Sequence, residues 1–137
     1  MSAESQWDIQ EALYASLQGD TALNIDVEDR IFDHVPEDSI FPYVTLGAML
    51  AEPFDTQINR GLKIRMSLHS FSSYRGMKEI KQIMRSIYNI LHEKDDWVIA
   101  GHAVVSCRFI SSQISFGNDG ETRSSIQNFE IITEKTI

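Results

Sequence analysis

The sequence predicts an α+β fold: a mostly antiparallel sheet with two main helices packed on one face. Three observations carry this. Apolar residues recur at helical spacing in two segments, one near the N-terminus and one in the middle. In the stretch before the second helix, residues alternate between apolar and polar from Leu62 to His69, as in a half-buried strand. Near the C-terminus, Asp119-Gly120 separates two strand-like runs, a strong hairpin signal.

In chain order, residues 6–18 place Ile9, Leu13 and Leu17 on one helical stripe, with Ala12 and Tyr14 beside it. Ser5 is the expected N-cap, Asp8 complements the positive helix end, and Gly19 is expected to close the helix as a left-handed cap. Residues 20–29 read as a polar connector with a few apolar anchors. A strand over 42–50 follows, because Pro42 fixes its own φ, biases Phe41 toward extended geometry and is tolerated at a strand's first residue. Pro53, Asp55, Asn59 and Gly61 mark 51–61 as a long exposed loop. In the strand over 62–71, Leu62, Ile64, Met66 and Leu68 face one way and Lys63, Arg65, Ser67 and His69 the other. Met77, Ile80, Met84, Ile87 and Leu91 then form the stripe of the strongest helix, 74–93, with Ser72 or Ser73 as its cap. After an acidic turn, residues 97–116 give one long strand or two with a bend, and the turn 117–122 leads into a final strand.

A chain of 137 residues fits a single domain over 1–137, with loose ends at about 1–5 and 135–137. Cys107 is the lone cysteine and sits in the apolar run VVSCRF, so a buried thiol is expected and an internal disulfide is excluded. No signal peptide and no membrane-length apolar stretch is expected from the sequence, which points to a reducing cytoplasm. The net charge of −8 argues against a dedicated DNA binder. Its distribution is uneven: residues 1–39 hold ten acids against Arg30 alone, and residues 60–85 hold seven basic residues against Glu79 alone. Two solvated faces explain this simply; complementary patches that join copies head to tail explain it as well.

Chemistry is hard to find. The four histidines, His34, His69, His92 and His102, show no helical ligand spacing, and for His69 and His102, which strand pairing can bring together, chance explains two strand histidines better than a metal site does. Asp33, Glu37 and Asp38 flank a proline-containing loop that reads as solvated. Neither a phosphate-binding glycine pattern nor a nucleophile elbow occurs. No enzyme, cofactor or metal is expected.

The string Arg30-Ile31-Phe32-Asp33-His34-Val35-Pro36, followed by Phe41-Pro42-Tyr43-Val44-Thr45-Leu46-Gly47, resembles the tail-completion (tail terminator) proteins of long-tailed phages and of phage-like gene transfer agents. Leu68-His69-Ser70-Phe71-Ser72, Gly76 before the long helix and Asp119-Gly120-Glu121-Thr122 extend the likeness from about Gln10 to Glu134. The short, serine-rich SSYRG departs from it, where a longer linker is expected. The resemblance implies an α/β sandwich and a structural virion protein. Such a protein would cap the tail tube as a hexameric ring, end tube polymerisation and offer a head–tail joining surface at the head-proximal end of the tail. Its partners would be other copies of itself, the tail tube protein and a head-side connector or stopper. DNA would pass through the lumen without specific binding, and no membrane would be involved.

Contacts with the tube or connector are expected from loops, which a sheet can hold rigid while leaving them exposed. The candidates are Glu52, Pro53, Phe54, Asp55, Gln57 and Arg60, with Asn118, Asp119 and Glu121 at the hairpin tip. Phe54 is the foremost of these, as an aromatic that is either tucked onto its own domain or held out as an anchor. For the ring interface the candidates are Asp33, Glu37 and Asp38 against Lys78, Lys81 and Arg85. Two other readings stand beside this one: a small ferredoxin-like ligand-binding or regulatory module, which a defined pocket would favour, and a small hydrolase using His34 with Asp33 or Asp38, which a buried His34 would favour.

Overall fold

The computed structural model describes residues 6–136 and has the expected class: three helices lie on one face of a five-stranded, mostly antiparallel sheet. Helix α1 (Gln6–Gln18) buries Ile9, Leu13 and Leu17, the predicted stripe. The proposed Ser5 cap lies outside the described residues. Gly19 ends α1 through an N–H bond to the Ala15 carbonyl at 3.0 Å, yet it is not in the left-handed region. The chain has no room for such a cap, because Asp20 already starts the next helix.

That helix, α2 (Thr21–Val27), replaces the expected connector. The Asp20 carboxylate accepts the Leu23 N–H at 2.9 Å, and Leu23 and Val27, four residues apart, are both buried. A second unforeseen element is the two-residue strand β1 (Ile31–Phe32), which pairs parallel to β2 (Tyr43–Pro53), with Ile31 opposite Val44. The rest of the sheet is antiparallel, in the order β1-β2-β3-β5-β4, with β3 (Gly61–Ser72), β4 (His102–Phe116) and β5 (Arg123–Lys135). Both β2 and β3 run further than the sequence indicated, so the exposed loop between them shrinks to residues 54–60.

The third helix, α3 (Lys78–Leu91), starts four residues later than expected. Neither Ser72 nor Ser73 caps it. Met77 takes the cap position without a side-chain bond, and Ser72 instead donates its hydroxyl to Glu79 at 2.7 Å and accepts the Tyr74 N–H. Gly76, at φ +85°, breaks the helical path here. At its far end α3 is tied to β4: the Glu93 N–H donates to the Cys107 carbonyl at 2.8 Å and the Phe109 N–H to His92 Nδ1 at 3.2 Å. The long strand β4 is one strand with irregularities at Val104/Ser106 and Phe109/Ser111.

One core fills the space between helices and sheet, and Ile9, Leu13, Leu23, Ile83, Ile87, Leu68, Phe129 and Ile131 are wholly or almost wholly buried in it. The other face of the sheet is polar along the middle of β3, as its alternation predicted, with exposed Leu50 and Ile126 beside it on the neighbouring strands. Arg65 pairs with Glu130 at 3.3 Å, and Ser67, Asn128 and Ser111 form a hydrogen-bonded row across three strands.

The Arg30–Gly47 string proves to be one structural unit. Ile31 packs into the core, Phe32 meets the Tyr43 ring, and Tyr43 stacks on both Phe41 and Phe71. Arg30 donates its Nε–H to the Pro42 carbonyl at 2.8 Å and pairs with Glu28, while its own carbonyl accepts the Val44 N–H at 3.0 Å. Pro42 lies just before β2, which starts at Tyr43, one residue later than expected, and the Phe41–Pro42 peptide is cis. Gly47 is required where it stands: an added Cβ would meet the His69 ring at 2.6 Å and the Ser67 carbonyl oxygen at 2.9 Å. Arg30→Ala should cost about 1.5–3 kcal/mol, the worth of a hydrogen bond from a charged donor to a sheltered carbonyl. Urea unfolding checks this, and a loss under about 0.5 kcal/mol would show that the loop does not depend on the guanidinium.

Candidate interaction surfaces

The two loop groups predicted to make contacts do not come together. In β3, Gly61 pairs with Glu134 at one end and Ser72 with Arg123 at the other, so the β2–β3 tip and the β4–β5 tip sit at opposite ends of the sheet. Twelve residues of strand separate them, roughly 40 Å.

At the first end, Glu52 and Pro53 are the last residues of β2, and Phe54, Asp55, Gln57 and Arg60 lie in the exposed loop. This loop is internally braced. The Thr56 hydroxyl oxygen accepts the N–H groups of Ile58 and Asn59, and the Asp55 carboxylate accepts the Gly61 N–H at 3.1 Å. Gly61 allows no side chain, because an added Cβ would overlap the Thr133 carbonyl oxygen and come within 2.8 Å of that of Phe54. The foremost candidate, Phe54, is partly tucked: Lys63 Nζ sits 5.2 Å from its ring centroid, and the residue is 41% exposed. Ile58, which sequence reasoning passed over, is 90% exposed at the tip and is the loop's bare apolar residue.

At the second end, Asn118, Asp119 and Glu121 are exposed. Asp119 is engaged within its own turn. It accepts the Thr122 hydroxyl at 2.6 Å and the backbone N–H groups of Thr122 and Glu121 at 2.8 and 2.9 Å, and the Thr122 hydroxyl chiefly holds its pKa down to about 2. Phe116 stands beside this turn, 60% exposed, with the Arg123 guanidinium 5.3 Å from its ring centroid.

The charged candidates divide between the two edges of the fold. Asp33, Glu37 and Asp38 are exposed after β1, and only Asp33 has a bond among them, a long one of 3.4 Å from the Gln10 side chain. Lys78, Lys81 and Arg85 are exposed along α3. An open groove of about 320 Å³ runs along the first edge, between α1 and β1, lined by Trp7, Glu11, Tyr14, Phe32 and Asp33 among others. A second of about 360 Å³ lies on the other edge, where Lys81, Arg85 and Tyr88 of α3 face Phe109 and Ile114 of β4. Trp7 and Tyr14 were also overlooked as surface residues, although their seven-residue spacing off the Ile9/Leu13/Leu17 stripe puts them on a shared outer face.

The catalytic candidates are not assembled. His34 is exposed, so the buried, carboxylate-held histidine that a hydrolase would need is absent at that position. His69 and His102 do not meet: His69 lies opposite Ile126, while His102 lies opposite Lys135 and contacts Asp8 at 3.5 Å. Among the described residues no group of three or more potential ligands is placed to hold a metal ion. Cys107 is buried, and desolvation pushes its thiol up to about 12. No described helix is long and apolar enough to cross a membrane.

Comparison with known proteins places this geometry. The family described as Tail completion protein gp17 matches residues 11–134. A chain of a solved structure titled "Virion of native gene transfer agent (GTA) particle" superposes with a TM-score of 0.88, at 19% identity, covering 97% of this chain and 99% of that one. At that identity the likeness establishes a shared fold. No curated protein matches the chain in sequence.

Proposed function

This chain belongs to the tail completion protein gp17 family, and we propose that it is the subunit of a ring that closes the tail tube of a phage-type particle. The family match over nearly the whole chain carries the reading. In this view the protein is a structural part of the virion at the head-proximal end of the tail, assembled in the bacterial cytoplasm. It ends tube polymerisation and gives the head-side connector its seat. The fold shared with a chain of a gene transfer agent virion supports a place in the particle.

Two tips at opposite ends of one rigid sheet suit a subunit that must touch a tube on one side and a connector on the other. Edges of opposite charge suit copies that join head to tail, with Asp33, Glu37 and Asp38 on one side and Lys78, Lys81 and Arg85 on the other. Passage of DNA through the lumen without specific binding fits a net charge of −8. An acidic N-terminal portion found on the outer wall of the ring would remove that last support.

Tube protein polymerised with and without the purified chain tests the reading by electron microscopy. Added chain should leave a ring at one tube end and stop elongation there. Ile58→Asp, a change at a site too exposed to disturb folding, should weaken this capping if the β2–β3 tip faces the tube. Tubes that lengthen unchanged and carry no end density would overturn the proposal.

A further inference from the structure

The two grooves lie at opposite edges of the sheet: α1 packs beside β1, and the second groove is built on β4, the far strand. Four strand spacings, roughly 20 Å, separate the edge strands. Each groove pairs exposed aromatic or aliphatic surface with charge of one sign. On the α1 side Trp7 is 63% and Tyr14 42% exposed, beside the carboxylates of Glu11 and Asp33. On the α3 side Tyr88 is 37% exposed, beside Lys81 and Arg85. None of these four charged groups has an ion-pair partner among the described residues.

Backbone pairing does not suit either edge. Bulges at Val104/Ser106 and Phe109/Ser111 interrupt β4, and on the other side β1, the bulge at Leu46/Met49 and Pro53 interrupt β2. Irregularities of this kind protect edge strands from adding another strand. Both grooves open in the helix layer, where a neighbour is met by side chains.

We propose that the occupant of the α3–β4 groove is a second copy of this chain, presenting its α1–β1 edge. Glu11 and Asp33 of one copy face Lys81 and Arg85 of the next, while Trp7 and Tyr14 cover Tyr88 and Ile114. Because the two surfaces differ and sit on opposite edges, the contact is heterologous and repeats in one direction, as a closed ring requires. The inference rests on the ring reading and specifies the joint between subunits.

A disulfide tests it. The full chain carrying Glu11→Cys and Arg85→Cys is assembled on tubes and exposed to mild oxidant. Native Cys107 does not compete, because it is buried and its thiol is pushed up to about 12. A ladder of linked chains should appear on non-reducing gels, and neither single variant should give chains longer than a dimer. Rings seen without a ladder would overturn this joint and leave the ring reading standing; absence of both rings and ladder would end both. Linkage to the tube protein would assign the groove to that partner and overturn the proposal. In cysteine-free form of the same test, Glu11→Arg and Arg85→Glu should each weaken self-association about tenfold, and the two together should restore it. A double variant as weak as either single would also overturn the joint.

Discussion

Phe129→Ala should lower the unfolding free energy by about 3–5 kcal/mol, the loss expected when a fully buried phenylalanine is cut back to a methyl group. Phe129 is 0% exposed in the middle of β5, opposite Met66 of β3 and Phe109 of β4. Its ring meets Phe109 edge-on, with centroids 5.7 Å apart. Phe109 in turn meets Tyr88 at 5.2 Å, and Tyr88 stacks on His92 at 4.7 Å. The chain of rings runs from the core out to the α3–β4 groove, so its inner end cannot be removed without loosening the groove. For a domain of this size the loss is a large part of the whole stability and corresponds to a fall in melting temperature of roughly 10–20 °C. Phe129→Leu keeps most of the volume and should cost under about 1.5 kcal/mol. Thermal and urea unfolding of both variants check this. Equal effects would mean that the ring contacts, and not the filled volume, carry the loss.

The long elements were readable because their own residues determine them. The Ile9/Leu13/Leu17 stripe, the alternation from Leu62 to Leu68 and the Asp119-Gly120 turn each need only local chemistry to be recognised. The two elements that were missed are short. Seven residues of α2 and two of β1 hold their conformation because Leu23, Val27 and Ile31 enter a core built by other segments. The start of α3 was misplaced because Tyr74 and Met77 continue its apolar spacing, whereas Gly76 and the Ser72–Glu79 hydrogen bond hold the backbone off the helical path. The surface was legible in charge and loop position, less so in its apolar residues. Phe54 drew notice as an aromatic in a polar loop, yet it lies under Lys63 while Ile58 is bare. Which apolar side chain remains exposed depends on where the neighbouring elements settle, and periodicity does not carry that information except where it places two residues together off the core stripe, as it does Trp7 and Tyr14.

Reversing Lys78, Lys81 and Arg85 together to glutamate should abolish self-association while leaving the fold intact. All three are exposed on α3, opposite its buried Ile80, Ile83 and Ile87, so no core packing is lost. The expectation for unfolding is a change within about 0.5 kcal/mol per site. Assembly is another matter. Each reversal shifts the net charge by two units away from an already negative value of −8, and the altered surface then opposes an acidic edge on the next copy. Like charges brought together across an interface cost several kcal/mol, enough to weaken each joint by a hundredfold or more, on the order of what 3 kcal/mol implies. Salt separates this from a packing defect. Added salt shortens the Debye length from roughly 10 Å at 0.1 M to roughly 3 Å at 1 M, so it should weaken association of the native chain and partly relieve the repulsion in the variant. Sedimentation of both proteins at low and moderate salt, alone and with tube subunits, makes the comparison. If their masses agree at every salt concentration, the charge division along this chain belongs to two solvated faces and the ring closes through some other surface.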